Sequence, residues 1–445
     1  MSFFSSQEAP FLCDPSTTFM SSVEQQINTI RAAVGNSDPW VSGTIQVPPD
    51  SLDLYYLDKS GVPQILKLTP GAAVDDLNKL STYCDRATFG RAKEELLDES
   101  YRKAGKMDVE RFASKLDSNV IRLLPGILPQ LLRGEDVDRK VDAELYKLNV
   151  YDAGSFFRVH KDTPRGKYMF GSLVIVFPTL HTGGQLVLRH GEKEHNFDSG
   201  TILSNSPSPN DTIAYVAFFS DVEHEVLPVI SGHRITLTYN LYFSKSSNQG
   251  PDSLLVTKTN LKLRDAISAI LDNPQFLPNG GLLGFALSHS YAVDTQSSES
   301  LNEILRVLKG EDAVIRSACE DLGLDLSINC VIKNRLLLNH AIDLSDYGEI
   351  EGSLLNVVMR HERGTLTHRY NGKPFWEYGQ RGKYSKAIAW IKHLGESQAG
   401  YKSSYIAYGN QASLAFEYIH LTLVAAFGPV GDRKNWSAYK GEERV

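Results

Sequence analysis

The sequence predicts an α+β protein whose centre is an antiparallel β-barrel or β-sandwich. Between residues 142 and 243, short hydrophobic runs alternate with Gly, Pro, Asn and Asp, which is typical of antiparallel strands joined by turns. These runs are AELYKLNVY, SFFRVH, FGSLVIVFP, GGQLVLRH, TIAYVAFF and HRITLTYNLYF. On both sides of this segment apolar residues recur every three or four positions, which is the spacing of amphipathic helices.

The composition is that of a globular protein. Of the 445 residues, 42% are hydrophobic and 22% are charged, so a large core can form. The net charge of −7 and the mixing of Lys and Arg with acidic residues argue against general nucleic-acid binding. The four cysteines lack CxxC spacing, which favours a reducing compartment over a disulfide framework or a thiolate zinc site.

No signal peptide or apolar run of about 20 residues is visible in the sequence. We therefore expect a cytoplasmic or nuclear protein without a membrane partner. The oligomeric state stays open.

The flanking segments give the predicted domain organisation. Residues 1–38 mix Ser, Pro and Asn and are predicted to be a partly ordered N-terminal segment. Residues 39–141 are predicted to form a β-hairpin from the runs GTIQV, LDLYYLD and GVPQILKL, followed by buttressing helices over 72–134. Residues 142–244 are predicted to form the β-rich core, and residues 245–445 a mixed α/β C-terminal region.

Three residues in the central segment could bind one metal ion. His160 and Asp162 alternate along a strand and so point to the same side, while His224 begins a strand 64 residues later. Two His and one carboxylate leave open positions on the metal, which is the ligand set of non-haem Fe(II) oxygenases. By itself the HxD pair is a weak signal, and a surface His near a turn is the ordinary explanation.

Arg234 follows His224 by ten residues and is a candidate anion site. A buried guanidinium needs an anionic partner, which a dicarboxylate cosubstrate would supply, and Thr236 shares its strand face. His233 would take the inward place if the strand register slipped by one residue. We prefer Arg234 because Thr236, Thr238 and Asn240 share its parity.

The sequence around these residues resembles that of the Fe(II)- and 2-oxoglutarate-dependent, prolyl 4-hydroxylase-like oxygenases. The resemblance covers roughly residues 142–243 and includes Tyr151 and Gly154 ahead of His160, the turn at 163–165, the GGQL run at 183–186 and the phrase SDVEHEV at 220–226 followed by Arg234. The segments FGRAKEELLDESYRKAG, LYKLNVY and TLTYNLYF also resemble a fungal-type group of these oxygenases.

The resemblance implies a double-stranded β-helix (jelly-roll) core and a dioxygenase. It implies Fe(II) held by His160, Asp162 and His224, with 2-oxoglutarate and O₂ as cosubstrates, and it admits ascorbate as a reductant. Arg234, Thr236 and Tyr151 would bind 2-oxoglutarate, with Tyr168 or Tyr239 as alternatives to Tyr151. The implied reaction hydroxylates a C–H bond of a prolyl or other peptidyl residue, or of a small molecule, and releases succinate and CO₂.

Two other function classes stay open. A sensor or interaction protein could keep the metal and 2-oxoglutarate sites without turnover, and a zinc hydrolase could use the same ligands with Glu223 or Glu225 as base.

Other polar residues have simpler explanations. His190 and Glu192 are expected at an exposed hairpin tip, His181 and His195 in loops, and the polar segments at 288–293, 361–370 and 408–413 either in support loops or in a substrate pocket.

Overall fold

The computed structural model describes residues 15–35, 37–91, 94–132, 139–163, 165–166, 168–244, 261–295, 299–347, 349–351, 353–362, 364–370, 385–408 and 413–434. Among these, no helix combines the length and hydrophobicity that crossing a lipid bilayer requires. Residues 1–14 of the predicted N-terminal segment and residues 409–412 of the polar segment at 408–413 lie outside the described residues.

Up to residue 140 the described elements are α1 (Pro15–Val34), β1 (Trp40–Gln46), β2 (Asp53–Leu57), β3 (Pro63–Lys67), α2 (Val74–Tyr83), β4 (Asp85–Arg86), β5 (Phe89–Arg91), β6 (Glu94–Leu96), β7 (Arg102–Lys103), β8 (Gly105–Asp108), β9 (Phe112–Ser114) and α3 (Lys115–Leu131). The central segment contains β10 (Val141–Tyr151), β11 (Phe156–His160), β12 (Met169–Val176), β13 (His181–Gly183), β14 (Leu186–His190), β15 (Lys193–Phe197), α4 (Ser199–Ser204), β16 (Thr212–Phe219), β17 (Glu223–Val226), β18 (Val229–Gly232) and β19 (Arg234–Phe243).

Eight strands of the central segment form two four-stranded layers. One layer has the order β16-β12-β19-β10 and the other β15-β14-β17-β11, with antiparallel pairing throughout. Eight antiparallel strands in two layers are consistent with a jelly-roll core. Strand β1 extends the first layer beyond β16, β8 and β4 extend it beyond β10, and β7 extends the second layer beyond β11.

Strand β19 shows how the sequence divides the two faces of the first layer. Ile235, Leu237 and Tyr239 belong to the main apolar cluster, which also contains Leu124 and Ile127 of helix α3. The intervening residues 234, 236, 238 and 240 line a cavity between the layers. Because strand side chains alternate in direction, one strand serves an apolar core and a polar interior at once.

The N-terminal region differs from the prediction in two ways. Strand β1 pairs with β16 of the core instead of forming a hairpin, and the hairpin is made by β2 and β3. Among the buttressing helices predicted over 72–134, the one over residues 91–105 (RAKEELLDESYRKAG) is wrong: the described part of this stretch contains β6 and β7 and leads into β8. Pairing with β10 and β11 satisfies the backbone there and outweighs helix propensity.

The C-terminal region is built on an eight-stranded mixed sheet of order β20-β25-β24-β22-β21-β27-β26-β23. Its elements are α5 (Leu261–Leu271), β20 (Gly281–Ala286), α6 (Gly310–Asp321), β21 (Asp325–Ile332), β22 (Leu336–Leu338), β23 (Glu349–Glu351), α7 (Leu354–His361), β24 (Thr365–Arg369), β25 (Lys386–Lys392), β26 (Gly400–Tyr408) and β27 (Ser413–Phe427). Short 3₁₀ helices lie at Pro49–Leu52, Val109–Arg111, Leu301–Val307, Leu344–Tyr347 and Leu394–Glu396.

Helix α1 corrects the prediction that residues 1–38 form only a partly ordered segment. Val23 and Ile30 are buried in the apolar cluster of the C-terminal region, together with Leu263 and Ile267 of α5. The Gln26 side chain donates a hydrogen bond to the Ala269 carbonyl, 243 residues away. The first described helix therefore packs on the C-terminal region.

Removing the buried side chain of Ile30 tests this packing. Ile30→Ala should lower the free energy of unfolding by about 2–5 kcal/mol, because a fully buried aliphatic side chain leaves a cavity. Urea denaturation measures it, with Glu24→Ala at an exposed position of the same helix as the matched control. Equal effects of the two substitutions would contradict the packing of α1.

Candidate metal centre and its cavity

The residues His160, Asp162 and His224 meet at one end of the second layer. His160 on β11 lies directly opposite His224 on β17 in the antiparallel pairing, and Asp162 follows just after β11. One ligand atom from each residue lies within 4.8 Å of the other two. The Nε2 atom of His224 is 3.8 Å from Oδ1 of Asp162.

Backbone carbonyls orient both imidazoles. Nδ1 of His160 lies 2.8 Å from the Arg158 carbonyl, and Nδ1 of His224 lies 3.0 Å from the Val222 carbonyl. A proton on each Nδ1 then donates to these carbonyls and leaves each Nε2 lone pair for a metal. Burial and the neighbouring His224 hold the pKa of His160 well below its usual value, so its ring is neutral, as a ligand must be.

Two further contacts fix the ligands. The Ser172 hydroxyl on β12 donates a 2.6 Å hydrogen bond to Oδ2 of Asp162, which leaves Oδ1 facing His224. The Phe157 ring stacks on His160 with 3.6 Å between ring centroids. Two imidazoles and one carboxylate with open positions beside them fit Fe(II), and no fourth protein donor among the described residues closes the set as a structural zinc site would.

The candidate metal ligands His160, Asp162 and His224 line a cavity of about 420 Å³ between the two layers. Arg234 lines it from the first layer and is 1% exposed. Its Nε and Nη2 atoms have no hydrogen-bond partner among the described residues. Burial lowers the pKa of Arg234 to about 10, which is the mark of a cation that an anionic ligand would stabilise.

Thr236 and Tyr151 accompany Arg234 in the cavity. Tyr151 is opposite Arg234 in the pairing of β10 with β19, and the guanidinium carbon lies 5.6 Å from the centre of its ring. Of the alternatives, Tyr239 lies in the apolar cluster on the other face of β19, and Tyr168 lines a separate cavity of about 100 Å³. His233 is buried but does not line the metal cavity.

The GGQL turn packs against Arg234. Gly183 and Gly184 have φ of 73° and 68°, a region that other residues rarely adopt. A Cβ on Gly184 would lie 3.0 Å from Cδ of Arg234 and 2.8 Å from a methyl carbon of Val229. Gly184 thus provides the space that the arginine stem occupies.

Sequence reasoning overlooked several residues of this cavity. Ser172, Asn149, Lys147 and Arg102 all line it. Strand parity along β10 could have found two of them, because residues 147 and 149 are spaced by two from Tyr151 and therefore lie on the same strand face. Arg102 could not be found, because residues 91–105 were predicted to be helical.

The other predicted histidines lie outside the metal cavity. Neither His195 nor His181 lies in a loop as predicted. His195 is in β15 and stacks on Trp40, and His181 is buried in β13 beside Ser199. Glu192 is exposed at the hairpin tip as expected. His190 is not exposed at that tip, because its Nε2 lies 3.2 Å from a carboxylate oxygen of Asp221.

Asp221 is the centre of a second His-Asp-His group, with His190 and His289. Nδ1 of His289 lies 3.1 Å from the carboxylate, and the Lys309 ammonium lies 2.8 Å from its other oxygen. Burial by itself would raise the pKa of Asp221. The neighbouring Lys309 and His289 outweigh burial and hold this pKa well below its usual value. The Lys309 ammonium already pairs with the Asp221 carboxylate, so this group forms a buried ion network that joins the core to the C-terminal region.

Ser172→Ala should weaken metal binding about 10- to 100-fold, because the hydrogen bond that orients Asp162 is lost. Anaerobic calorimetry with Fe(II) measures the change, and Ser172→Thr, which keeps the hydroxyl, is the matched control. An unchanged affinity in the alanine variant would show that Asp162 needs no such support.

Lys309→Met should lower the free energy of unfolding by about 3–5 kcal/mol, because it leaves the buried Asp221 carboxylate without its ammonium partner. Chemical denaturation measures the loss, and Lys79→Met at an exposed ion pair should leave the transition unchanged. A loss no larger than in the control would mean that the ion network does not stabilise the junction.

Comparisons with known proteins agree with this geometry. Residues 146–242, which include all six predicted site residues, match the profile of the 2OG-Fe(II) oxygenase superfamily. No curated protein matches the chain.

Solved structures are similar over about half of the chain. A prolyl-4-hydroxylase from Pseudomonas putida is 16% identical with a TM-score of 0.29, and the match covers 49% of this chain and 100% of that one. A prolyl hydroxylase from Trichoplax adhaerens, solved in complex with a hypoxia inducible factor oxygen degradation domain peptide fragment, is 14% identical with a TM-score of 0.30, covering 51% and 93%. Within this chain, residues 146–242 thus match a superfamily of oxidoreductase enzymes, the 2OG-Fe(II) oxygenases.

Proposed function

We propose that this protein is an Fe(II)- and 2-oxoglutarate-dependent dioxygenase that hydroxylates a C–H bond and releases succinate and CO₂. One observation carries the proposal: a single cavity has His160, Asp162 and His224 on one side and Arg234 on the other, and the Nε and Nη2 atoms of Arg234 lack a partner among the described residues. A metal site and a separate buried cation are what a chelating dicarboxylate cosubstrate requires.

Each residue has a defined task in this proposal. His160, Asp162 and His224 hold Fe(II), which together with 2-oxoglutarate and O₂ supplies the oxidant for the C–H bond. Arg234 binds the distal carboxylate of 2-oxoglutarate, and Thr236 adds a hydroxyl donor on the same face of β19. The apolar residues Val174, Leu186, Phe218 and Val226 line the cavity and exclude water from the reacting groups.

The zinc hydrolase is the weaker candidate because it lacks a general base. Glu223 and Glu225 alternate with His224 on β17 and so point to the other side of the layer. Their carboxylates pair with Lys161 at 3.8 Å and Arg189 at 2.6 Å. Among the described residues that line the cavity, Asp162 is the only carboxylate, and it is committed to the metal.

The substrate in this proposal is a prolyl or other peptidyl residue, or a small molecule. Resemblance of the sequence to prolyl 4-hydroxylases favours the peptide. A cavity of about 420 Å³ would accept either a side chain or a small metabolite beside the cosubstrate. A sensor that binds 2-oxoglutarate without turnover differs from the enzyme only in the absence of succinate formation.

The test is an anaerobic titration of the Fe(II)-loaded protein with 2-oxoglutarate, followed by the visible metal-to-ligand charge-transfer band. His160→Ala should abolish the band. Arg234→Ala should raise the 2-oxoglutarate concentration needed roughly 30-fold or more, because a buried charge-assisted pair is lost.

Two matched controls are His195→Ala and Arg306→Ala, which change the same residue types far from the cavity. Both should behave like the unmodified protein. No band in the intact, iron-loaded protein would overturn the proposal. A band without 2-oxoglutarate consumption across peptide and metabolite libraries would favour the sensor.

A further inference from the structure

Beyond the metal residues the cavity is strongly positive. Its described lining includes Arg102, Lys147, Lys161, Arg165 and Arg234, against the one carboxylate of Asp162. Arg234 is assigned to 2-oxoglutarate in the proposal above. Lys161 is half exposed and pairs with Glu223. Arg102, Lys147 and Arg165 remain, and no carboxylate of the described residues forms an ion pair with any of them. These three residues are called the cationic patch here.

Arg102 reaches the patch from β7 and is 6% exposed. Its two Nη atoms donate to the Thr88 carbonyl at 2.6 Å and to Oδ1 of Asn149 at 2.8 Å. The guanidinium carbon lies 4.3 Å from the ring centre of Phe157, which in turn stacks on His160. The Nε atom has no hydrogen-bond partner among the described residues. A buried N–H donor without a partner costs free energy, so a ligand with a hydrogen-bond acceptor would be favoured at this position.

Lys147 reaches the patch from β10, on the same strand face as Asn149 and Tyr151, and a β-bulge beside it also turns Tyr146 inward. The pairing of β10 with β19 shifts register between Leu145 and Lys147, and both Tyr146 and Lys147 line the cavity. The Lys147 ammonium lies 3.9 Å from the Tyr146 ring centre, and the Arg165 guanidinium lies 4.3 Å from it. Two cations thus share one ring, whose hydroxyl accepts a hydrogen bond from Arg165.

The surroundings of Lys147 do not compensate its charge. Lys147 is 6% exposed, and burial together with Arg102, Lys106 and Arg165 lowers its pKa to about 7, against the opposite effect of Asp108. Asp108 itself is half exposed and pairs with Lys106. Burial and the neighbouring cations disfavour the charged form of Lys147, and a bound anion would stabilise it.

The patch is distinct from the Arg234 site. Lys147 lies opposite Thr238, four residues along β19 from Arg234, which separates the two backbone positions by roughly 13 Å. A five-carbon dicarboxylate bound at Arg234 does not extend that far. Asn240 lies one step further along the same face, and its Nδ2 atom is buried without a partner among the described residues. The patch therefore offers an amide donor as well as cations.

We infer that the cationic patch binds an anionic group of the substrate, most simply a carboxylate, and so selects acidic substrates. This inference rests on the proposed function for the reaction, but the patch binds its anion independently of Arg234. Lys147 would supply the charge, while Nε of Arg102 and Nδ2 of Asn240 would supply directed hydrogen bonds. The carboxylate could belong to a free small acid or to an Asp or Glu side chain of a peptide.

The experiment measures binding of matched probe pairs by calorimetry to protein loaded with Fe(II) and 2-oxoglutarate under anaerobic conditions. One arm uses three- to six-carbon monocarboxylic acids beside their amides. The other uses end-capped pentapeptides with Asp or Glu beside those with Asn or Gln. The acidic member should bind about 10-fold tighter or more in at least one arm, because its hydrogen bonds are charge-assisted. The arm that shows the preference identifies the source of the carboxylate.

Variants assign the preference to the patch. Lys147→Met, which keeps the apolar stem, should remove most of the difference between acid and amide, whereas Lys193→Met, on the far strand β15, should retain it. Arg102→Met provides a second test if the first variant fails to fold. Equal binding of acid and amide in the unmodified protein would overturn the inference, as would an acid preference that survives both patch variants.

Failure of the proposed function looks different. The same probes are titrated into metal-free protein, and 2-oxoglutarate binding is measured in parallel. An acid preference that Lys147→Met removes, without 2-oxoglutarate binding, would support the patch and overturn the dioxygenase. Binding of 2-oxoglutarate without an acid preference would do the reverse.

Discussion

Polar and apolar side chains alternate along β19, and both the core and the site depend on that alternation. Ile235, Leu237 and Tyr239 fill the apolar cluster on one face, while Arg234 and Thr236 face the cavity on the other. A slip of one residue would place the guanidinium in the core and aliphatic groups in the cavity, so the pairing register is fixed by burial.

The second layer depends on a different constraint, the pairing of β11 with β17. Because His160 and His224 are direct cross-strand partners, their rings come together before any metal is present, with 4.1 Å between ring centroids. Asp162 is brought into reach by its position just beyond β11 and is held by Ser172 of the opposite layer. The proposed metal site therefore requires both layers, and hydrogen bonds between protein groups alone already hold its three candidate ligands in place.

Much of this site could be predicted from sequence because its residues stand in phrases with fixed spacing. His160, Asp162, His224 and Arg234 were singled out by spacing and strand parity, and the structure brings all four to one cavity. The roles of these four residues toward Fe(II) and 2-oxoglutarate, and those of Thr236 and Tyr151 toward 2-oxoglutarate, stay predictions. Asn149 and Lys147 were within reach of the same parity argument, but a β-bulge, which sequence does not announce, decides that Tyr146 also faces inward.

Other parts could not be predicted because tertiary pairing decides them. Residues 91–105 are rich in helix-forming Glu, Lys, Leu and Ala, yet their described part pairs with the edges of the core layers, which local propensity cannot foresee. The contact of His190 with Asp221 could not be predicted for the same reason, because Asp221 is 31 residues away and itself pairs with Lys309 of the C-terminal region. The C-terminal region was predicted only as mixed α/β, because alternating patterns do not reveal strand order.

Helix α1 has a consequence for synthesis of the chain. Its apolar face packs on α5, and a hydrogen bond joins residues 243 positions apart, so the helix leaves the ribosome long before its partner exists. At 5–20 residues per second, that interval lasts roughly 12 to 50 s. A solitary helix of 20 residues is only marginally stable in water, and during this time Val23 and Ile30 have no native cover. Nascent chains of this protein are thus expected to expose an apolar N-terminal segment that chaperones can bind until α5 has been made.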